Sequence, residues 1–245
     1  MRRLLSDAFR TLVPRGEELH GPLPPLMLIL TVVTGLVDAV SYLALGHVFV
    51  ANMTGNVVFL GFALAGADGL SALASVVAMG SFLLGALAGG RLGTRFALHR
   101  GHLLRTSTAV QTILVAVTLV VAAVSDGRVT TGVQYTLIVF LGIAMGLQNA
   151  AARRLGVPDL TTTVLTLTLT GLAADSTPAG GAAPRPGRRI LSVLAMFLGA
   201  FAGAELLLHG HLLLTLGLAL LLLAVTSVTT HLLSTDDAAW ARPKP

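Results

Sequence analysis

Cysteine is absent from the 245 residues, so disulfides, thiolate metal sites and cysteine nucleophiles are all excluded. Charge is scarce: Asp, Glu, Lys and Arg make up 11% of the chain, where an ordinary soluble domain carries about 25%. Aromatic residues amount to 5%, so any core is built mainly from aliphatic side chains. The sequence contains no HExxH, no GxSxG, no P-loop and no dinucleotide fingerprint. No catalytic motif therefore argues for an enzyme, and no cofactor is expected. What the chain does have is apolar residues, at 54%, with a mean hydropathy of +0.85. A water-soluble globular domain is excluded by that composition. Sixteen Lys and Arg against eleven Asp and Glu give a net charge of +5. In a soluble protein this excess would suggest a nucleic-acid partner. Here the arginines read as loop charges that orient membrane spans, and the expected partner is the lipid bilayer.

A spanning helix needs about 20 mostly apolar residues, because each residue rises about 1.5 Å through a core about 30 Å thick. Runs of that length cover 23–45, 70–90, 103–124, 133–152, 190–208 and 212–233. Two more apolar stretches are interrupted. Residues 48–67 contain Asn52-Met53-Thr54-Gly55-Asn56, and residues 160–174 contain Thr161, Thr162, Thr163, Thr166, Thr168 and Thr170. Each interrupted stretch either crosses completely or enters the membrane and returns. If all eight cross with the N-terminus inside, ten basic residues fall inside and six outside. If the two interrupted stretches return, fifteen fall inside and only Arg128 lies outside. Short cytoplasmic loops retain Lys and Arg, so the second arrangement is expected. It is an all-α polytopic membrane protein with six spans, two re-entrant or broken helices, and both termini cytoplasmic.

Residues 1–22 read as a basic amphipathic segment on the inner membrane surface. Arg2, Arg3, Arg10 and Arg15 accompany Leu4, Leu5, Ala8, Phe9 and Leu12 at helical spacing; a disordered tail is the plainer alternative. The first long apolar run has no small-residue cleavage site after it and reads as uncleaved.

The chain also repeats itself. Residues 82–91 (FLLGALAGGR) match 196–205 (MFLGAFAGAE), and 35–39 (GLVDA) match 146–150 (GLQNA). Two membrane repeats follow, 23–129 and 130–234, with a cytoplasmic linker at 175–189 inside the second and a tail at 235–245. Three spans per half is an odd number, so the second half enters from the opposite side. The exchange of Arg91 for Glu205 agrees with opposite placement of the two repeat ends. Inverted repeats recur among secondary transporters, whose solutes bind where the halves meet; this is an argument from architecture. The GxxxG pairs Gly85 with Gly89, and Gly199 with Gly203, mark close helix packing between halves or between subunits of a homo-oligomer.

Irregular chain within a bilayer is tolerated only against protein or a wet cavity. Asn52 or Thr54 can cap the helix that follows, and Gly55 permits the turn. The free N–H groups of that helix would face a cavity near the midplane, suited to an anionic or polar solute. Thr161, Thr162, Thr163 and Thr166 would do the same from the cytoplasmic side. Candidate substrate-binding residues are therefore Asn52, Thr54, Gly55, Asn56, Thr162, Thr163 and Thr166, joined by Gln148 and Asn149. The structural alternative is that these side chains only cap broken helices. Asp38 lies about 18 Å into the first span by helical rise, and an ionisable residue at that depth is a functional candidate. With Tyr42 one turn on and able to hydrogen-bond it, Asp38 is the candidate proton-coupling site. The alternative is a structurally paired aspartic acid. His209 and His211 at a loop tip lack a supporting carboxylate pattern, so no metal site is expected.

Through Asn52-Met53-Thr54-Gly55-Asn56, preceded by Asp38 and Tyr42 and followed by Gly146-Leu147-Gln148-Asn149, the chain resembles the YoaK-like family. These are small bacterial inner-membrane proteins defined by a domain of unknown function. The resemblance covers nearly the whole chain and implies a multi-pass protein of the bacterial inner membrane. It brings no catalytic residues. Three functions remain open: a secondary transporter of a small polar or anionic solute, a passive channel of the same geometry, or a membrane enzyme or assembly factor.

Overall fold

The computed structural model describes residues 2–14, 20–163, 165–234 and 239–242, with Arg2 and Arg3 as backbone only. Arg15 of the basic segment and most of the 235–245 tail lie outside the described residues. The helices are α1 (Arg2–Leu12), α2 (Leu23–Ala44), α3 (Met53–Leu64), α4 (Ala72–Arg95), α5 (Arg100–Val124), α6 (Thr131–Leu155), α7 (Leu165–Ala174), α8 (Pro186–Leu208) and α9 (Leu212–Leu233). Six of them, α2, α4, α5, α6, α8 and α9, are long and apolar enough to cross a membrane. The 12 residues of α3 and the 10 of α7 rise only about 18 and 15 Å, roughly half a bilayer.

Local chemistry sets the helix ends. Pro24 and Pro25 fall in the first turn of α2, where a missing N–H costs no helical bond. The Ser71 hydroxyl accepts the Ala74 N–H at the start of α4. Gly156, at φ +59°, ends α6 in the left-handed conformation that glycine adopts without strain.

Packing pairs each half of the chain with the other. Helix α4 runs parallel to α6: a Cβ on Gly85 would overlap the Ile143 carbonyl, and one on Gly89 would sit 2.7 Å from the Ala150 methyl. Helix α2 runs parallel to α8 in the same way, Gly199 against the Val32 carbonyl and Gly203 at 2.9 Å from Ala39. Gly35 rests on the backbone of Met196 and Ala200, and Gly146 on that of Phe82 and Ala86. Every one of these contacts has a counterpart in the matched sequence of the other half. Helices α5 and α9 lie antiparallel, with Gly101 beside Ser234 and an Arg105 nitrogen 3.2 Å from His231 Nδ1.

Helices α2 and α6, matched in sequence, run in opposite directions. Gln134 at the start of α6 donates to the Leu45 carbonyl just past α2, at 2.9 Å. Arg100 joins His20, ahead of α2, to the Leu155 carbonyl at the end of α6. One end of the bundle therefore collects the starts of α2, α5 and α8 and the ends of α4, α6 and α9. Arg95, Arg100, Arg153, Arg154, Arg188 and Arg189 sit at that end, and Arg128 lies at the other.

The central helices α2 and α6 carry the fully buried Leu23, Met27, Leu30, Leu36, Leu137, Ile138, Leu141 and Met145. Leu64, Leu83, Val124, Phe197 and Leu208 point outward and are exposed, as a lipid-facing surface requires. Helix α1 docks on the start of α8, where Gly187 lies against the Leu4 and Ala8 backbone. The Asp7 carboxylate accepts the Arg188 N–H at 3.1 Å, satisfying a free donor in the first turn of α8. Leu5, Phe9 and Leu12 remain exposed on the outer face of α1.

Candidate functional site

Between α2 and α3 the chain is irregular, and its backbone polar groups need partners. Asn56 supplies two. Its side-chain oxygen accepts the Phe49 N–H at 2.8 Å, and its nitrogen donates to the Phe49 carbonyl. Asn56 is completely buried, so the carboxamide clamps the loop from beneath. Asp38 Oδ1 accepts the Ala51 N–H at 3.2 Å and ties the loop to α2. Gly55 lies under the Phe49 ring, where a Cβ would come within 2.6 Å of Cδ2. Tyr42 stacks on Phe49 at 5.1 Å, and Phe49 on Phe59 at 5.7 Å. Among the described residues no hydrogen bond links Tyr42 to Asp38. The ring is held in the aromatic stack, and a loop amide takes the place expected for the phenol.

The second break is built on the same plan with different chemistry. Asn149 occupies the place in α6 that Asp38 has in α2. Its Oδ1 accepts the Thr163 hydroxyl at 2.5 Å, and its nitrogen donates to the Met145 carbonyl at 2.9 Å. Thr162 is buried at 1% exposure with φ +65°, and its hydroxyl has no hydrogen-bond partner among the described residues. Asp159 receives Arg185 Nε at 2.9 Å and Arg189 Nε at 3.0 Å. Arg189 also meets Asp175 at 2.8 Å and donates to the Gly171 carbonyl. A cation at the C-terminal end of α7 offsets the free carbonyls there, and the network fixes α7 to α8.

A cavity of about 680 Å³ opens between the two breaks, within the range of small-molecule pockets. Asp38, Asn52, Thr54 and Gly55 line it from the first half, and Asn149, Thr163 and Thr166 from the second. Phe49, Phe59, Phe82 and Met196 form its apolar wall. Asp38 is the ionisable side chain among these lining residues.

Four residues singled out in the sequence do not line it. Asn56 and Tyr42 hold the loop from behind, and Thr162 is buried in its own turn. Gln148 faces the helix core instead, accepting from Gln111 Nε2 at 2.6 Å and donating to Thr34 Oγ1 at 2.9 Å. The sequence reading passed over Gln111 and the phenylalanines. An amide inside the 103–124 apolar run was the available signal for Gln111. The phenylalanines carried none, because an aromatic residue in a span is ordinary lipid-facing or core composition.

Residues 26–229 match the family described as protein of unknown function (DUF1275). The chain belongs to the DUF1275 family. It is also similar to the UPF0700 transmembrane protein YoaK of Bacillus subtilis (strain 168), at 34% identity over 152 residues. That match takes in 61% of this chain and 65% of the relative's length, so the chain spans just under two thirds of that protein. No solved structure matches. With six apolar helices of spanning length, this DUF1275 chain is a multi-pass integral membrane protein.

Proposed function

We propose that this DUF1275 protein is a secondary transporter of a small polar or anionic solute in the bacterial inner membrane, its arginine-rich end cytoplasmic. One observation carries the reading: both broken segments contribute polar residues to one cavity at the level where α3 and α7 begin. Thr54 and Gly55 lie in the first turn of α3, and Leu165 and Thr166 in that of α7. Helix N-termini present free N–H groups and positive dipole ends, which favour a negative or hydrogen-bond-accepting group between them.

The opposed directions of α2 and α6, with counterpart glycine contacts in both halves, support an inverted repeat around this cavity. In that arrangement alternating access is rocking of one half against the other. Asp38 is the proton-coupling residue. It touches the cavity and the Ala51 amide at once, so a proton on the carboxyl competes with the bond that anchors the first break.

The test is uptake by proteoliposomes, screened with small carboxylates, inorganic phosphate and neutral polar metabolites under an imposed pH gradient. Asp38→Asn should abolish gradient-driven accumulation while solute exchange at equal pH persists. Undiminished accumulation in that variant refutes the role of Asp38. Flux indifferent to the gradient in the unaltered protein favours a channel. Conversion of the solute without flux favours an enzyme.

A further inference from the structure

A second cavity of about 880 Å³ lies at the arginine-rich end of the bundle. Gly90, Gly93, Arg153, Arg154, Val157 and Thr161 are among the residues that line it. Three residues, Phe82, Asn149 and Thr163, line both this cavity and the one between the breaks. The two spaces therefore adjoin at these residues, two of which are joined by a hydrogen bond, Thr163 Oγ1 donating to Asn149 Oδ1 at 2.5 Å. Phe82, on α4, is the third.

We propose that the two cavities are successive compartments of one path, with Phe82 and the Thr163–Asn149 bond as the gate between them and the outer compartment an anteroom for small oxyanions. The proposal rests on the transport reading for its purpose but on cavity geometry for its content. Two observations carry it beyond adjacency. The gate's hydroxyl belongs to a turn whose preceding residue, Thr162, is β-branched at φ +65° with a buried, unpartnered hydroxyl. Such a residue is outside its preferred backbone region, so the closed turn is held by its surroundings, and release of Thr163 relieves it. The anteroom's charge is also one-sided: Arg153 and Arg154 line it, and no carboxylate among the described residues does. Both residues are exposed, and a guanidinium can meet a carboxylate or phosphate oxyanion by paired N–H donation.

The absence of cysteine lets single cysteines report access directly. The probes are Thr161→Cys in the anteroom and Thr54→Cys in the inner cavity. They react with an anionic or a cationic methanethiosulfonate reagent, applied from the arginine-rich end to protein in phosphatidylcholine vesicles. Thr161→Cys should react readily and prefer the anionic reagent, and Arg153→Gln with Arg154→Gln should remove the preference. Thr54→Cys should react slowly from that end. Adding Thr163→Val should speed it about fivefold, the equilibrium effect of losing one ordinary hydrogen bond. Phe82→Ala should speed it independently, and Thr163→Ser should leave it slow.

An unchanged Thr54→Cys rate in both gate variants overturns the gate. Equal reactivity of Thr161→Cys toward both reagents overturns the oxyanion anteroom. Slowing of Thr161→Cys by added inorganic phosphate identifies a free anion as occupant. Slowing only when phosphatidylglycerol is included identifies a lipid headgroup phosphate instead. No arm depends on flux, so a failed transport assay and a failed gate remain separate results.

Discussion

Asn56 shows how one side chain can decide a loop. Its carboxamide satisfies both polar groups of Phe49, a residue with no helical or strand partner. Asn56→Ala leaves the half-buried Phe49 N–H and carbonyl without their partner. The expected cost is about 1–3 kcal/mol, read as a lower melting temperature of the detergent-solubilised protein. Gln148 makes a related point in the helix core. Gln148→Leu alone strands Gln111 and Thr34, whereas Gln111→Leu with Gln148→Leu removes both ends of the bond and should recover most of the loss. A double-mutant cycle on melting curves would report a coupling near the ~0.6 kcal/mol average for polar pairs in membranes; additive losses would deny that the pair is coupled. Sequence reading found Gln148 and Asp38 as polar residues in apolar runs, but not which way each faces. A polar residue in a span must be paired or wet, and only the neighbouring helices determine which. Asp38 and Asn149 face the cavity, while Gln148, beside Asn149 in the sequence, turns into the core.

At the scale of elements, lengths and breaks were legible because hydropathy and rise per residue fix them. The run at 48–67 contains a 12-residue helix because irregular chain up to Asn52 delays its start until Met53. The docking of α1 was not legible, since Asp7 and Arg188 are 181 residues apart and their pairing depends on the whole bundle. Asp7→Ala should loosen that dock by about 1 kcal/mol, the usual value of a lost helix cap, and raise amide exchange in 2–12 and the first turn of α8 together. Glycines of one helix can be told apart by what stands opposite. A methyl on Gly80 meets nothing within 4 Å. Gly80→Ala should therefore stabilise by about 0.5–1 kcal/mol, because alanine loses less freedom in a helix. Gly85→Val must force α4 away from the Ile143 backbone and should lower the melting temperature sharply. If both substitutions behaved alike, the α4–α6 contact would be misplaced.

Across the whole molecule, the arginine-rich end is also where the chain meets acid stress. His20 sits beside Arg100 and near Arg188 and Arg185; burial first, then those charges, lower its pKa from 6.5 to about 4. It accepts a hydrogen bond from Arg100 as a neutral ring, at 3.1 Å. The unfolded chain protonates His20 near pH 6.5 and the folded one only near 4. Its contribution to stability is therefore complete above 6.5 and is lost as pH falls from there toward 4. His20→Gln should flatten the fall of melting temperature over that window while leaving the neutral-pH value nearly unchanged. Among the described residues, Arg95, Arg100, Arg153, Arg154, Arg188 and Arg189 share one end of the bundle and Arg128 lies at the other, because short loops leave each charge at the end of its own helix.

The central claim is that α3 and α7 each return to the side from which the chain entered, so that a shared cavity lies between them. Cysteines placed at Ala67, Leu98 and Ala179, all exposed, test it in intact cells with a membrane-impermeant maleimide. Ala67→Cys should react from outside, and Leu98→Cys and Ala179→Cys only after permeabilisation. Labelling of Leu98→Cys in intact cells, with Ala67→Cys protected, would mean that α3 crosses completely and that no such cavity exists.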